Sequence, residues 1–111
     1  MQVRTDQGIR YISGGVGEGE RAELNALSNQ FNLRLLFAMQ GSGEYLSAVQ
    51  VNILDTHGGS VMSVKSKGPW FLAQLPPGDY MVEALTIDRT SQQKKVHIEG
   101  SGQSRLDFYW R

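Results

Sequence analysis

The 111-residue sequence predicts an all-β domain, a seven-stranded antiparallel β-sandwich carrying one short N-terminal α-helix. Three observations predict it. From Asn32 onward the apolar residues recur with period two, the spacing of strands that have one buried and one wetter face. Glycine and proline break these runs every ~8–12 residues. The intervals between runs are too short for the crossover helices that join consecutive parallel strands.

Taken in order, residues 1–17 read as irregular: polar apart from Ile9, Tyr11 and Ile12, then rich in glycine through Gly14-Gly15-Val16-Gly17. Residues 18–30 read as the helix. Leu24, Leu27 and Phe31 recur at helical spacing, and Glu18, Glu20 and Glu23 gather where carboxylates oppose the positive end of the helix dipole. The apolar stripe is expected to pack over an edge or open end of a sheet. Residues 32–111 hold the strands, so the chain is expected to be one domain.

The first strand, Asn32–Gln40, sets Leu33, Leu35, Phe37 and Met39 against Arg34, Leu36 and Ala38. Ala48–Asp55 turns Val49, Val51 and Ile53 one way. Ser60–Ser66 breaks parity at Val61, Met62 and Val64, the mark of a bulge or an edge strand. In Trp70–Leu75, Phe71, Ala73 and Leu75 face inward, while Trp70 and Leu72 face the other way. Asp79–Ile87 points Tyr80, Val82 and Ala84 inward. Lys94–Ile98 alternates Val96 and Ile98 with Lys95 and His97, and Gln103–Trp110 buries Leu106, Phe108 and Trp110.

Composition removes several function classes. Eleven Lys plus Arg balance eleven Asp plus Glu, whereas a nucleic-acid binder carries excess basic charge to displace counterions. The absence of cysteine excludes disulfides, thiol catalysis and Cys-based zinc sites. No apolar run reaches the ~18–20 residues that span a bilayer, and the first residues lack the apolar stretch of a secretory signal.

The segment Trp70-Phe71-Leu72-Ala73-Gln74-Leu75-Pro76-Pro77-Gly78-Asp79-Tyr80-Met81-Val82 is an aromatic strand, a Pro-Pro-Gly corner and a second strand opening on an aromatic. Its L-P-P-G-x-Y-x-V pattern resembles the carboxypeptidase regulatory-like domains, over roughly Asn32 to Ile98. The resemblance implies a transthyretin-like (prealbumin-like) Greek-key sandwich. The opening Tyr11-Ile12-Ser13-Gly14-Gly15-Val16-Gly17-Glu18 is similar to small exported bacterial proteins of this type, which implies a periplasmic or secreted location. In the metallocarboxypeptidases this domain supplies no catalytic residue, so a helper, binding or structural role is implied.

Each candidate chemistry fails on particular residues. The glycine stretch lacks the third glycine of a dinucleotide fingerprint, since Glu20 stands there, and Glu20-Arg21 replaces the Lys-Ser/Thr of a phosphate loop. Ser91-x-x-Lys94 leads into a strand, where residues three apart face opposite ways. His57 and His97 lie ~40 residues apart with no spacing that selects a metal site or a triad. The chain ends Asp107-Phe108-Tyr109-Trp110-Arg111, without the Tyr-Arg-Gly-Ser tail of the sandwich enzyme that hydrolyses hydroxyisourate. The expectation is therefore no enzyme, no cofactor and no metal.

What remains is a surface. Tyr45, His57 and Trp70 are the candidate partner or ligand residues, with Trp70 either under the helix stripe or exposed as a partner patch. A protein partner is expected, or a homodimer through the Ser60–Ser66 edge, with Lys65 and Lys67 as guards of that edge. A carbohydrate or small ligand on Tyr45 and Trp70 is the alternative, and a cryptic hydrolase a third reading.

Overall fold

Two β-sheets face one another in the computed structural model, which describes residues 2–111. The chain order is β1 (Arg4–Asp6), β2 (Ile9–Gly14), α1 (Glu18–Leu27), a 3-10 turn (Ser28–Gln30), β3 (Leu33–Met39), β4 (Gln50–Leu54), β5 (Ser60–Lys65), β6 (Trp70–Gln74), β7 (Gly78–Leu85), β8 (Gln92–Ile98) and β9 (Ser104–Trp110). One sheet has the order β1-β2-β6-β3-β9 and the other β5-β4-β7-β8. The fold is mostly β, sandwich-like, with one helix.

Nine strands replace the expected seven, because the segment read as irregular is a hairpin. Gln7 (φ 50) and Gly8 (φ 84) form its turn, both in the left-handed region that two-residue hairpin loops favour. Ile9 and Ile12 are both buried although they point to opposite sides of β2. The strand lies between the main core and the helix, so apolar residues on both faces hide its alternation. A second correction concerns direction. β3 and β9 run parallel, from Leu33 opposite Ser104 to Met39 opposite Trp110. Short intervals restrict consecutive strands only, and these two are far apart in the chain.

Between the sheets Leu33, Leu35, Phe37, Val51, Ile53, Met62, Phe71, Val82 and Phe108 are fully buried. The rings of Phe37 and Phe108 lie 5.9 Å apart and Tyr11 stacks on Phe71 at 5.6 Å. Aromatic pairs at such separations add to the burial term. Tyr80 faces inward as expected but is half-buried, its hydroxyl donating to the Pro76 carbonyl at 2.7 Å. Asn32 ties β3 to the end of β6: its amide donates to Leu75 O at 2.7 Å and accepts from Leu75 N at 2.9 Å.

The open sides of the sandwich are closed by side chains. β5 is an edge strand, and its register against β4 slips between Ile53 and Leu54. The Asp6 carboxylate accepts the Ser63 N–H at 2.9 Å, and the Ser13 hydroxyl accepts the Lys67 N–H at 2.9 Å. On the other side, Lys94 Nζ and Gln92 Nε2 of β8 each donate at 2.6 Å to β9 carbonyls, those of Asp107 and Tyr109. Lys94 also sits 5.4 Å over the Phe108 ring, an inward-pointing edge charge.

Helix α1 covers the outer face of the five-stranded sheet, not an edge or open end. Leu24 and Phe31 pack with Ile12 and Leu72 into a second apolar cluster, with Leu27 and Trp70 at its margin. The glycine run makes the approach to this face. Gly15 has φ +95, and a Cβ there would stand 2.1 Å from Trp70 Cδ1. Only glycine lets the backbone lie against that ring.

Candidate functional site

Trp70 opens β6, where it stands opposite Gly14 of β2 and Leu36 of β3. Its outward parity places it beside the helix, at the margin of the apolar cluster there, with the ring half-buried. Arg34 is on the same outward parity of β3, and its guanidinium lies 4.3 Å from the Trp70 ring centroid. Tyr45 bridges to Ala38 from the β3–β4 connection, which brings its ring within 6.2 Å of Trp70 at a 54° tilt. Arg21, one helical turn into α1, stacks over Tyr45 at 5.7 Å. Four residues from four separate parts of the chain thus form a row in which two adjoining rings are flanked by a cation at each end.

Beneath them is a cavity of about 50 Å³ lined by Arg21, Leu24, Asn25, Ser28, Arg34, Trp70 and Leu72. Burial holds the Arg34 guanidinium below its ordinary value, the neighbouring Arg105 adds to this, and Asp107 opposes it. Gln103 fixes the helix end that roofs the cavity, donating to Ser28 O at 2.9 Å and to Ser28 Oγ at 3.0 Å.

His57 is elsewhere. Tyr45 precedes β4 and His57 follows it, so the two flank opposite ends of that strand. The His57 N–H donates to Asp55 Oδ1 at 2.9 Å, as does that of Gly59, closing a turn on the carboxylate. Those two N–H groups lower the Asp55 carboxyl below its usual range. His97, on the outer face of β8, is exposed. Its Nδ1 is 2.7 Å from Asp79 Oδ1 and its Nε2 3.3 Å from Glu99 Oε1, and the hydrogen bond with Asp79 raises its pKa.

Among the described residues no group of three His, Cys, Asp or Glu side chains gathers as a metal site. Nor is any described helix long and apolar enough to cross a membrane. Sequence reasoning selected Tyr45 and Trp70 but missed Arg21 and Arg34. Their signal was the outward parity of Arg34 and Trp70, yet it needed the β3–β6 register, which puts Arg34 opposite Leu72 and Leu36 opposite Trp70. No protein-family model matches the chain, and a search of curated proteins finds no match.

Proposed function

We propose that this chain is a non-enzymatic β-sandwich module of the bacterial cell envelope, periplasmic or secreted, that docks a protein partner on the Tyr45–Trp70 face. The observation that carries the reading is the gathering of Arg21, Arg34, Tyr45 and Trp70, of which the two arginines and Trp70 line one cavity and Tyr45 packs beside them. Tyrosine, tryptophan and arginine are the residues that dominate binding energy in protein interfaces. Tyr45 remains 46% exposed, leaving its ring open to a partner. The strand edges are poorer candidates, because a homodimer through β5 would have to displace the Asp6 carboxylate from Ser63. The envelope location and the carboxypeptidase regulatory-like family rest on the L-P-P-G-x-Y segment and the residues around Gly14-Gly15.

A photo-crosslinking amino acid placed in turn at Tyr45, His57 and Ser63 tests this in the native host. The expected result is one adduct of discrete mass from position 45 alone, formed in the envelope fraction and rebuilt from purified components. An adduct from Ser63 but not Tyr45 would return the interface to the edge. Adducts from none of them, with tryptophan fluorescence responding to a cell-wall sugar, would favour the carbohydrate alternative.

A further inference from the structure

The cavity under α1 has a chemistry of its own. Its polar lining is rich in donors: two guanidiniums, the Asn25 amide and the Ser28 hydroxyl, whose oxygen already accepts from Gln103. No carboxylate lines it. Among the described residues the ion pairs involve Arg89 and His97, and neither Arg21 nor Arg34 has a carboxylate within ion-pair distance. Both arginines instead stack on rings. Stacking uses the face of a guanidinium and leaves its in-plane N–H groups for hydrogen bonding. A planar fork of donors fits a carboxylate in bidentate fashion. The space is about 50 Å³, room for a few water-sized groups and so for one carboxylate.

We propose that this cavity is a carboxylate receptor which takes an Asp or Glu side chain of the partner protein, held by Arg34 and Arg21 while the adjoining segment lies on Tyr45. This rests on the docking face argued above and names what that face recognises. Arg34 is the primary contact, half-buried, within the fields of both Arg105 and Asp107, and among the described residues has no carboxylate at ion-pair distance. An incoming carboxylate therefore meets a cation whose hydration is already reduced, where attraction is stronger than at an open surface. Arg21, on the helix, is the second arm. Asn25 and Ser28 supply the remaining donors.

Nuclear magnetic resonance titration of the labelled full chain tests it, following the side-chain N–H signals of Arg21, Arg34 and Trp70. The probes are the peptide acetyl-Ala-Glu-Ala-amide, its Gln counterpart and inorganic phosphate. The Glu peptide should shift all three signals saturably, and the Gln peptide should bind at least about tenfold more weakly, the loss expected for a charge-assisted hydrogen bond. Arg34→Gln should weaken the Glu peptide by a similar factor with the backbone spectrum retained. Arg21→Gln, on the helix surface, provides the same test should Arg34→Gln fail to fold. Equal binding of the Glu and Gln peptides, no saturable shift, or a response to phosphate alone overturns the proposal. If crosslinking from Tyr45 survives Arg34→Gln unchanged, the docking face stands and the carboxylate receptor falls.

Discussion

The two outer faces of the sandwich satisfy their polar groups differently. The four-stranded sheet shows solvent a polar rung that crosses all its strands. Ser63 Oγ donates to Asn52 Oδ1 at 2.7 Å, Asn52 Nδ2 to Glu83 Oε1 at 3.5 Å, and Gln93 Nε2 to Glu83 Oε2 at 2.5 Å. These residues satisfy each other and leave few donors for a visitor. The five-stranded sheet shows instead an apolar patch under a helix, fringed by arginines on aromatic rings. Three of them, Arg10, Arg21 and Arg34, lie over Phe31, Tyr45 and Trp70. The difference teaches that recognition capacity follows unmet hydrogen-bonding potential rather than polarity. A face crowded with polar groups can be chemically saturated, and a largely apolar one can carry the free donors.

Substitutions sharpen this contrast. Leu72→Ala removes a buried side chain from beneath the helix and should cost about 3 kcal/mol in denaturant unfolding. A loss below about 1 kcal/mol would mean the helix does not seal that face. Gly15→Ala forces a Cβ onto Trp70 from a left-handed backbone and should cost about 2 kcal/mol. It should also change tryptophan fluorescence. An unchanged spectrum would place the ring away from the glycine. Asn52→Ala, in the middle of the polar rung, should cost less than about 1 kcal/mol, since its partners turn to water. A larger loss would make that rung a structural element in its own right.

The smallest effect concerns His97, opposite Asp79 on the polar face. Its raised pKa means that the folded protein holds the proton more tightly than the unfolded chain. The stabilisation is therefore complete below the ordinary imidazole value of 6.5 and disappears as pH rises through the folded value. Thermal midpoints of wild type and Asp79→Asn should converge from about pH 6 toward about pH 9. A gap independent of pH would show that the His97–Asp79 contact contributes no proton-linked stability.

Much of this fold was legible in the residues. Period-two runs found β3, β4, β7, β8 and β9, and the less regular segments still gave β6 and β5, whose broken parity pointed to a bulge or an edge; β5 is an edge strand with a slipped register. The opposite parities of Phe71 and Leu72 separated the main core from the cluster beneath the helix. The β1–β2 hairpin escaped because Ile12 is as apolar as Ile9, and a strand buried on both faces loses its alternation. Of the candidate site, Tyr45 and Trp70 were legible as large aromatics with nowhere assigned in the core. Their arginine partners were not, because register between strands distant in sequence is absent from local pattern. His57 was selected for its chemistry, but the Asp55 turn accounts for its position.

The parallel union of β3 with β9 has a kinetic consequence. Leu33 and Ser104 meet across roughly seventy residues of chain, whereas β7 and β8 meet across one short connection. Closing long loops costs entropy before any contact repays it, so distant pairings form late. The sheet that bears Arg34 and Trp70 is therefore expected to assemble after the plainer sheet, so the cavity under the helix closes late.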